Sequence, residues 1–196
     1  CVVVGGGKVA ARKILELSEC GADIKVVAES PSIEVSALAQ KGIVNLAVKP
    51  FEPKDIEGAF LVIAATDSDE TNAFIAENSR KISAIVNTVD EPEKCDFYSG
   101  AVLKRGPLRI AVSTSGSCPG LAGSIRRRLE ELFSEKYTEL VRDMGEMRKY
   151  VVSNKDLPKK KRDEAITWML GDNFSDTYFN AGKDKAWEEL KKIISS

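Results

Sequence analysis

Two hydrophobic patterns alternate over the first hundred residues. Short, mainly apolar runs occur at 1–4, 24–28, 44–48, 60–65 and 85–87, interrupted only by Lys25, Asn45 and Asn87. Between them apolar residues recur at helical spacing. Ala10, Ile14 and Leu17 share one face, with Arg12, Lys13 and Glu16 off it. That periodicity predicts helices over 9–20, 33–39 and 70–80, the first stopped by Gly21. Strands apolar on both faces, separated by helices, predict a parallel sheet covered on both sides. The chain opens inside a strand without lead-in residues, so its N-terminus is expected to be incomplete.

The pattern changes near residue 97. Two apolar stretches, 97–103 and 108–112, flank Lys104, Arg105, Gly106 and Pro107, which read as the turn of a hairpin rather than a βαβ crossover. A Ser- and Gly-rich loop follows at 113–120. A helix starts near Leu121, with Ile125, Leu129, Leu132 and Phe133 at helical spacing. From about residue 134 the chain is charged and helical in pattern, punctuated by Leu157-Pro158 and Gly171.

Composition narrows the classes. The 196 residues carry 29 Lys+Arg against 30 Asp+Glu, so no net excess of charge favours nucleic acid as a partner. No apolar run approaches the roughly 20 residues of a membrane span, and neither a signal peptide nor a membrane partner is expected. There is no His, so proton chemistry falls to carboxylates, Lys, Tyr, Cys or the substrate. Cys1, Cys20, Cys95 and Cys118 have neither zinc-site spacing nor His to complete a set. The expectation is no metal site, free thiols and a reducing cytoplasm.

The most specific motif is Gly5-Gly6-Gly7-Lys8-Val9-Ala10, of the form G-x-G-x-x-A, between a strand and a helix. Gly5 permits the tight turn, Gly7 lets a diphosphate approach the backbone, and Ala10 allows close helix–strand packing. The helix start supplies N–H groups and a favourable dipole. Glu29, followed by Ser30, ends the second strand, where a carboxylate accepts from a ribose 2′-hydroxyl and repels a 2′-phosphate. This favours NAD over NADP. The same residues also suit a plain glycine turn and a surface charge. Ala64-Ala65-Thr66-Asp67 closes the fourth strand with small residues, leaving room for a ligand. It equally suits a tight turn with Asp67 or Ser68 as helix cap.

Taken together, four stretches resemble a known family. Residues 4–13 (VGGGKVAARK), 62–67 (VIAATD), 86–92 (VNTVDEP) with Cys95-Asp96-Phe97, and 110–122 (IAVSTSGSCPGLA) are similar, in order and spacing, to precorrin-2 dehydrogenase, the NAD-dependent part of siroheme synthase. The resemblance is close to about residue 133; the remainder is similar only in length and character. It implies an α/β Rossmann-type NAD domain over 1–98, a dimerisation hairpin-plus-helix region over 99–133, and a helical C-terminal domain over 134–196.

The activity it implies is NAD+-dependent oxidation of precorrin-2 to sirohydrochlorin, a step of siroheme and porphyrin biosynthesis, by a homodimer. Some members also insert ferrous iron at the same site, a lyase activity, and the sequence does not separate the two. A non-catalytic NAD-binding regulatory module is a third reading, which the hairpin and helical tail do not favour. By position Asp90 is the family's functional carboxylate, a proton acceptor in a chain without His; Asp90-Glu91-Pro92 also suits a simple turn. Gly5, Gly6, Gly7, Lys8, Val9, Glu29, Ser30, Thr66 and Asn87 are the cofactor candidates. An acidic tetrapyrrole calls for local cations and N–H groups, for which Arg12, Lys104, Arg105, Ser115 and Arg126 are candidates. The family loop usually carries Ser, phosphorylated in some members, where this chain has Cys118.

Overall fold

The computed structural model describes residues 1–89 and 91–195. The chain divides into two compact units, Cys1–Ser99 and Gly100–Ser196.

The first unit is built on five parallel strands: β1 (Val2–Val4), β2 (Lys25–Ala28), β3 (Asn45–Val48), β4 (Leu61–Ala64) and β5 (Ile85–Thr88), in the spatial order β3-β2-β1-β4-β5. Helices α1 (Lys8–Ser18), α2 (Ile33–Gln40) and α3 (Asp69–Lys81) connect them, with a 3₁₀ turn at Pro53–Ile56 before β4. Alternation within each strand sends side chains to opposite faces. Val3, Val26 and Ile63 pack with Ala10 and Ile14 of α1 on one side. Val4, Val27, Val62 and Val86 pack with Ile75 and Ala76 of α3 on the other. Both faces of the central strands are therefore covered, which is why these strands read as mainly apolar runs; the edge strand β3 is less buried. The order reverses between β1 and β4, so a crevice opens at their carboxyl ends, the usual ligand position in such sheets.

A buried carboxylate ties the 3₁₀ turn to the sheet. Asp55 meets Lys25 Nζ at 3.0 Å and Lys49 Nζ at 2.8 Å, and accepts the Glu52 N–H at 3.0 Å. Burial alone raises its pKa. The hydrogen bonds from Lys49, Lys25 and the Glu52 backbone outweigh that and hold it at about 2.

One expected strand starts later than the sequence suggests. Residues 97–100 do not join the hairpin. Instead Asp96 turns back onto β5: its N–H donates to Val86 O at 2.8 Å, and its Oδ2 accepts the Val86 N–H at 2.8 Å. Phe97 packs against the α1-side core. An apolar run shows that a segment is buried, not against which strand.

The second unit opens with the antiparallel hairpin β6 (Ala101–Arg105) and β7 (Leu108–Val112), followed by α4 (Pro119–Leu132). Lys104 and Arg105 are strand residues, and the turn is only Gly106-Pro107. Gly106 is required there: its φ is +55°, and a Cβ would stand 2.7 Å from Thr138 Cγ2. Helices α5 (Lys136–Ser153), α6 (Lys159–Leu170) and α7 (Asp172–Ser195, kinked at Gly182) enclose a core of Leu140, Met147, Val151, Met169, Phe174 and Leu190. Across α5 and α7, Asp143 accepts hydrogen bonds from the Tyr178 hydroxyl and, at 2.7 Å, from Lys183 Nζ. Burial, then the neighbouring carboxylate, pushes the Tyr178 pKa well above its usual range.

Candidate functional site

The glycine loop joins β1 to α1 at the carboxyl edge of the sheet. Its three glycines answer three different neighbours. Gly5 has φ +126°, and a Cβ there would lie 2.0 Å from Ala65 O, inside the backbone that follows β4. Gly6 faces the turn after β2, where a Cβ would meet Pro31 Cα at 2.7 Å and Ser30 O at 2.9 Å. Gly7 has nothing within 4 Å of its Cβ position. The protein itself does not need Gly7 to be small: a side chain there would point into open space.

Hydrogen bonds fix the loop. The Gly5 N–H donates to Val27 O at 2.9 Å, and the Ser32 N–H donates to Gly6 O at 2.8 Å. The second bond brings the turn carrying Glu29 and Ser30, both exposed, beside the glycines. Gly7 is the N-cap of α1 and has no side chain to cap it, so the leading N–H groups of the helix are left for a ligand. Lys8 is exposed and Val9 half-buried in that first turn; Arg12 is exposed one turn on. An open cradle at Gly7, free helix N–H groups and an adjacent carboxylate fit the diphosphate and ribose of NAD.

The opposing wall follows β4. Ala65 N–H continues the pairing to Val4 O at 2.8 Å. The Thr66 N–H and hydroxyl both donate to Asn72 Oδ1, at 3.1 and 2.7 Å, and Asn72 Nδ2 returns a bond to Thr66 O at 3.0 Å. Ser68, not Asp67, caps α3, accepting the Thr71 N–H at 3.1 Å. Asn72 is buried and did not stand out from the sequence. A polar residue at a core-facing position of α3 was the signal that could have found it.

Asn87 sits on β5, buried. Its Nδ2 donates to Phe97 O at 2.9 Å and to Cys95 Sγ at 3.4 Å, so its N–H groups secure the loop after the strand. Cys95 also accepts the Thr88 N–H at 3.2 Å. Asp90 lies outside the described residues. In the first unit, then, the glycine loop lies beside the turn that carries Glu29 and Ser30 and beside the Ala65–Thr66 backbone, and Asn87 stands on the strand beyond β4.

In the second unit, Arg105 is engaged within the fold. Its Nε donates to Phe133 O at 2.6 Å and its Nη1 lies 3.2 Å from Glu135. Arg126 pairs with Glu130 one turn along α4. Lys104 is half-buried on β6. Ser115, exposed, has φ +52° in the loop before α4, where its N–H donates to the Ser113 hydroxyl at 3.1 Å. Cys118 is exposed at the N-cap of α4.

Comparison with known proteins agrees with this architecture. A family model described as "Putative NAD(P)-binding" matches residues 1–101, and one described as the central part of sirohaem biosynthesis proteins matches 105–132. A siroheme synthase of Methylococcus capsulatus is 39% identical over 162 residues, 83% of this chain and 34% of that protein. One of Chromobacterium violaceum is 34% identical over 199 residues, 100% of this chain and 42% of that protein. The chain thus spans between a third and about two fifths of these relatives. A solved structure of SirC, precorrin-2 dehydrogenase, superposes with TM-score 0.81 at 26% identity, covering 97% of this chain and 93% of that one. With its glycine loop and five-stranded sheet inside the first match, the chain belongs to the NAD(P)-binding family, with a sirohaem-biosynthesis central segment behind it.

Proposed function

We propose that this chain is an NAD-dependent precorrin-2 dehydrogenase that oxidises precorrin-2 to sirohydrochlorin in siroheme biosynthesis. The observation that carries the reading is the glycine loop: two glycines forced by the protein's own backbone, and a third facing open space at a helix start. The likeness to SirC over nearly the whole chain supports the substrate. Bound NAD+ supplies the hydride acceptor. The protein's part is to orient and to move a proton. The α1 N–H groups hold the diphosphate, Glu29 accepts from the ribose and so selects NAD, Ser30 and Thr66 line the crevice, and Asn87 braces the loop that leads to Asp90. Asp90 takes the substrate proton.

The substrate is a polyanion. Arg12 on α1 is one proposed carboxylate contact; on the second unit Lys104, Arg105, Ser115 and Arg126 are others. Arg105 and Arg126 are already ion-paired, which leaves guanidinium N–H groups for a further acceptor.

A second copy of the chain is the proposed partner, in the cytoplasm. Between residues 101 and 132 only Leu103 and Ala122 are buried apolar residues among those described, while Val102, Leu121 and Leu132 stand exposed. A two-stranded sheet and one helix with so little core call for a partner surface. No helix among the described residues is long and apolar enough to cross a membrane.

The test is turnover. Purified protein given precorrin-2 and NAD+ produces NADH and sirohydrochlorin, followed by absorbance. Asp90→Ala keeps NAD+ binding and loses turnover. Absence of both products from the unaltered protein rejects the assignment.

A further inference from the structure

We propose that Asn72 is a positioning residue of the cofactor crevice, which makes the Thr66 hydroxyl an acceptor-only contact for the dinucleotide. The inference rests on the NAD reading above. Asn72, 2% exposed, places both ends of its amide on one residue: Oδ1 faces the Thr66 N–H and hydroxyl, and Nδ2 faces Thr66 O. A backbone N–H only donates and a carbonyl only accepts, so Thr66 itself dictates which way the amide lies.

The hydroxyl's state follows. It has one proton and two lone pairs. The proton goes to Asn72 Oδ1 at 2.7 Å, the shorter of its two receivers; Ser68 O is at 3.2 Å. One lone pair takes the Ser68 N–H at 3.3 Å. One lone pair remains on a residue that is only half-buried. Thr66 therefore receives a hydrogen bond from a ligand and gives none. A ribose hydroxyl or a carboxamide N–H fits that position; a phosphate oxygen does not. The same amide holds the peptide joining Ala65 to Thr66, whose carbonyl lies where a Cβ on Gly5 would stand, so the wall and the glycine loop are closely spaced.

The experiment measures NAD+ affinity by calorimetry on the unaltered protein, Asn72→Ala, Thr66→Val, Thr66→Ser, the Asn72→Ala/Thr66→Val double variant and Gly7→Val. Asn72→Ala raises Kd roughly tenfold and Thr66→Val about fivefold. Thr66→Ser binds like the unaltered protein, and the double variant is no weaker than Asn72→Ala alone. KM for NAD+ rises while KM for the tetrapyrrole holds, a split that general loosening of the fold does not give. Unchanged affinity in Asn72→Ala, or full additivity in the double variant, overturns the inference. If Asn72→Ala does not fold, Thr66→Val decides alone, and unchanged Kd there overturns it. Absent NAD+ binding in the unaltered protein, or intact binding in Gly7→Val, sinks the underlying reading instead.

Discussion

The first unit and the opening of the second differ in how much apolar core each encloses, although both also expose apolar side chains. In the sheet unit β1, β2, β4 and β5 each bury three residues, while the edge strand β3 buries none and Val48 is exposed. In the hairpin and α4, only Leu103 and Ala122 are buried apolar residues among those described, and Val102, Leu121 and Leu132 face outward. The first has two extended cores within its own unit; the second encloses little by itself, which is why a second copy is proposed as its cover. The difference teaches that the density of buried apolar side chains, not their number along the chain, marks where a fold is self-sufficient.

The sharpest way to break the contrast is at the glycine loop. Gly5→Ala drives a Cβ into Ala65 O and should cost the first unit upwards of about 3 kcal/mol, read as a collapse of its melting transition. Gly7→Val, with open space around it, should melt like the unaltered protein yet lose NAD+ binding. For the outward surface, Leu121→Asp with Leu132→Asp should turn the proposed dimer into a monomer in sedimentation velocity and leave NAD+ affinity alone. A species of unchanged mass would reject the second copy as its cover.

Smaller effects probe each unit's polar ties. Asp55 has a folded pKa of about 2 against 3.8 for the free group. A depressed acid contributes stability above its unfolded pKa and loses it as pH falls through the folded one. Roughly 2 kcal/mol should therefore disappear between about pH 4 and pH 2, and Asp55→Asn should flatten that part of the urea-denaturation profile. In the helical part, Asp143→Ala strips the acceptor from Tyr178 and Lys183 and should cost about 1 kcal/mol by the same assay.

Much of this was legible in the residues. Short runs rich in Val and Ile gave away the parallel sheet, and strand–Gly-x-Gly–helix gave away the β1–α1 glycine loop, because both are local patterns. The roles of Gly6, Asn72 and Asp96 were not legible, since each answers a neighbour distant in the chain or in another element: Pro31, Thr66 and Val86. Residues 97–100 read as strand because their apolar Phe97 belonged to a different partner than the hairpin. Arg105 read as a turn cation because nothing in the sequence announced Phe133 O as its acceptor.

Asp96 has a wider consequence. By occupying both the N–H and the carbonyl of Val86 on the outer side of β5, one residue does the work of a sixth strand without its length. At that point the rim's N–H and carbonyl are already engaged, so lateral growth by a foreign chain onto this edge is blocked there.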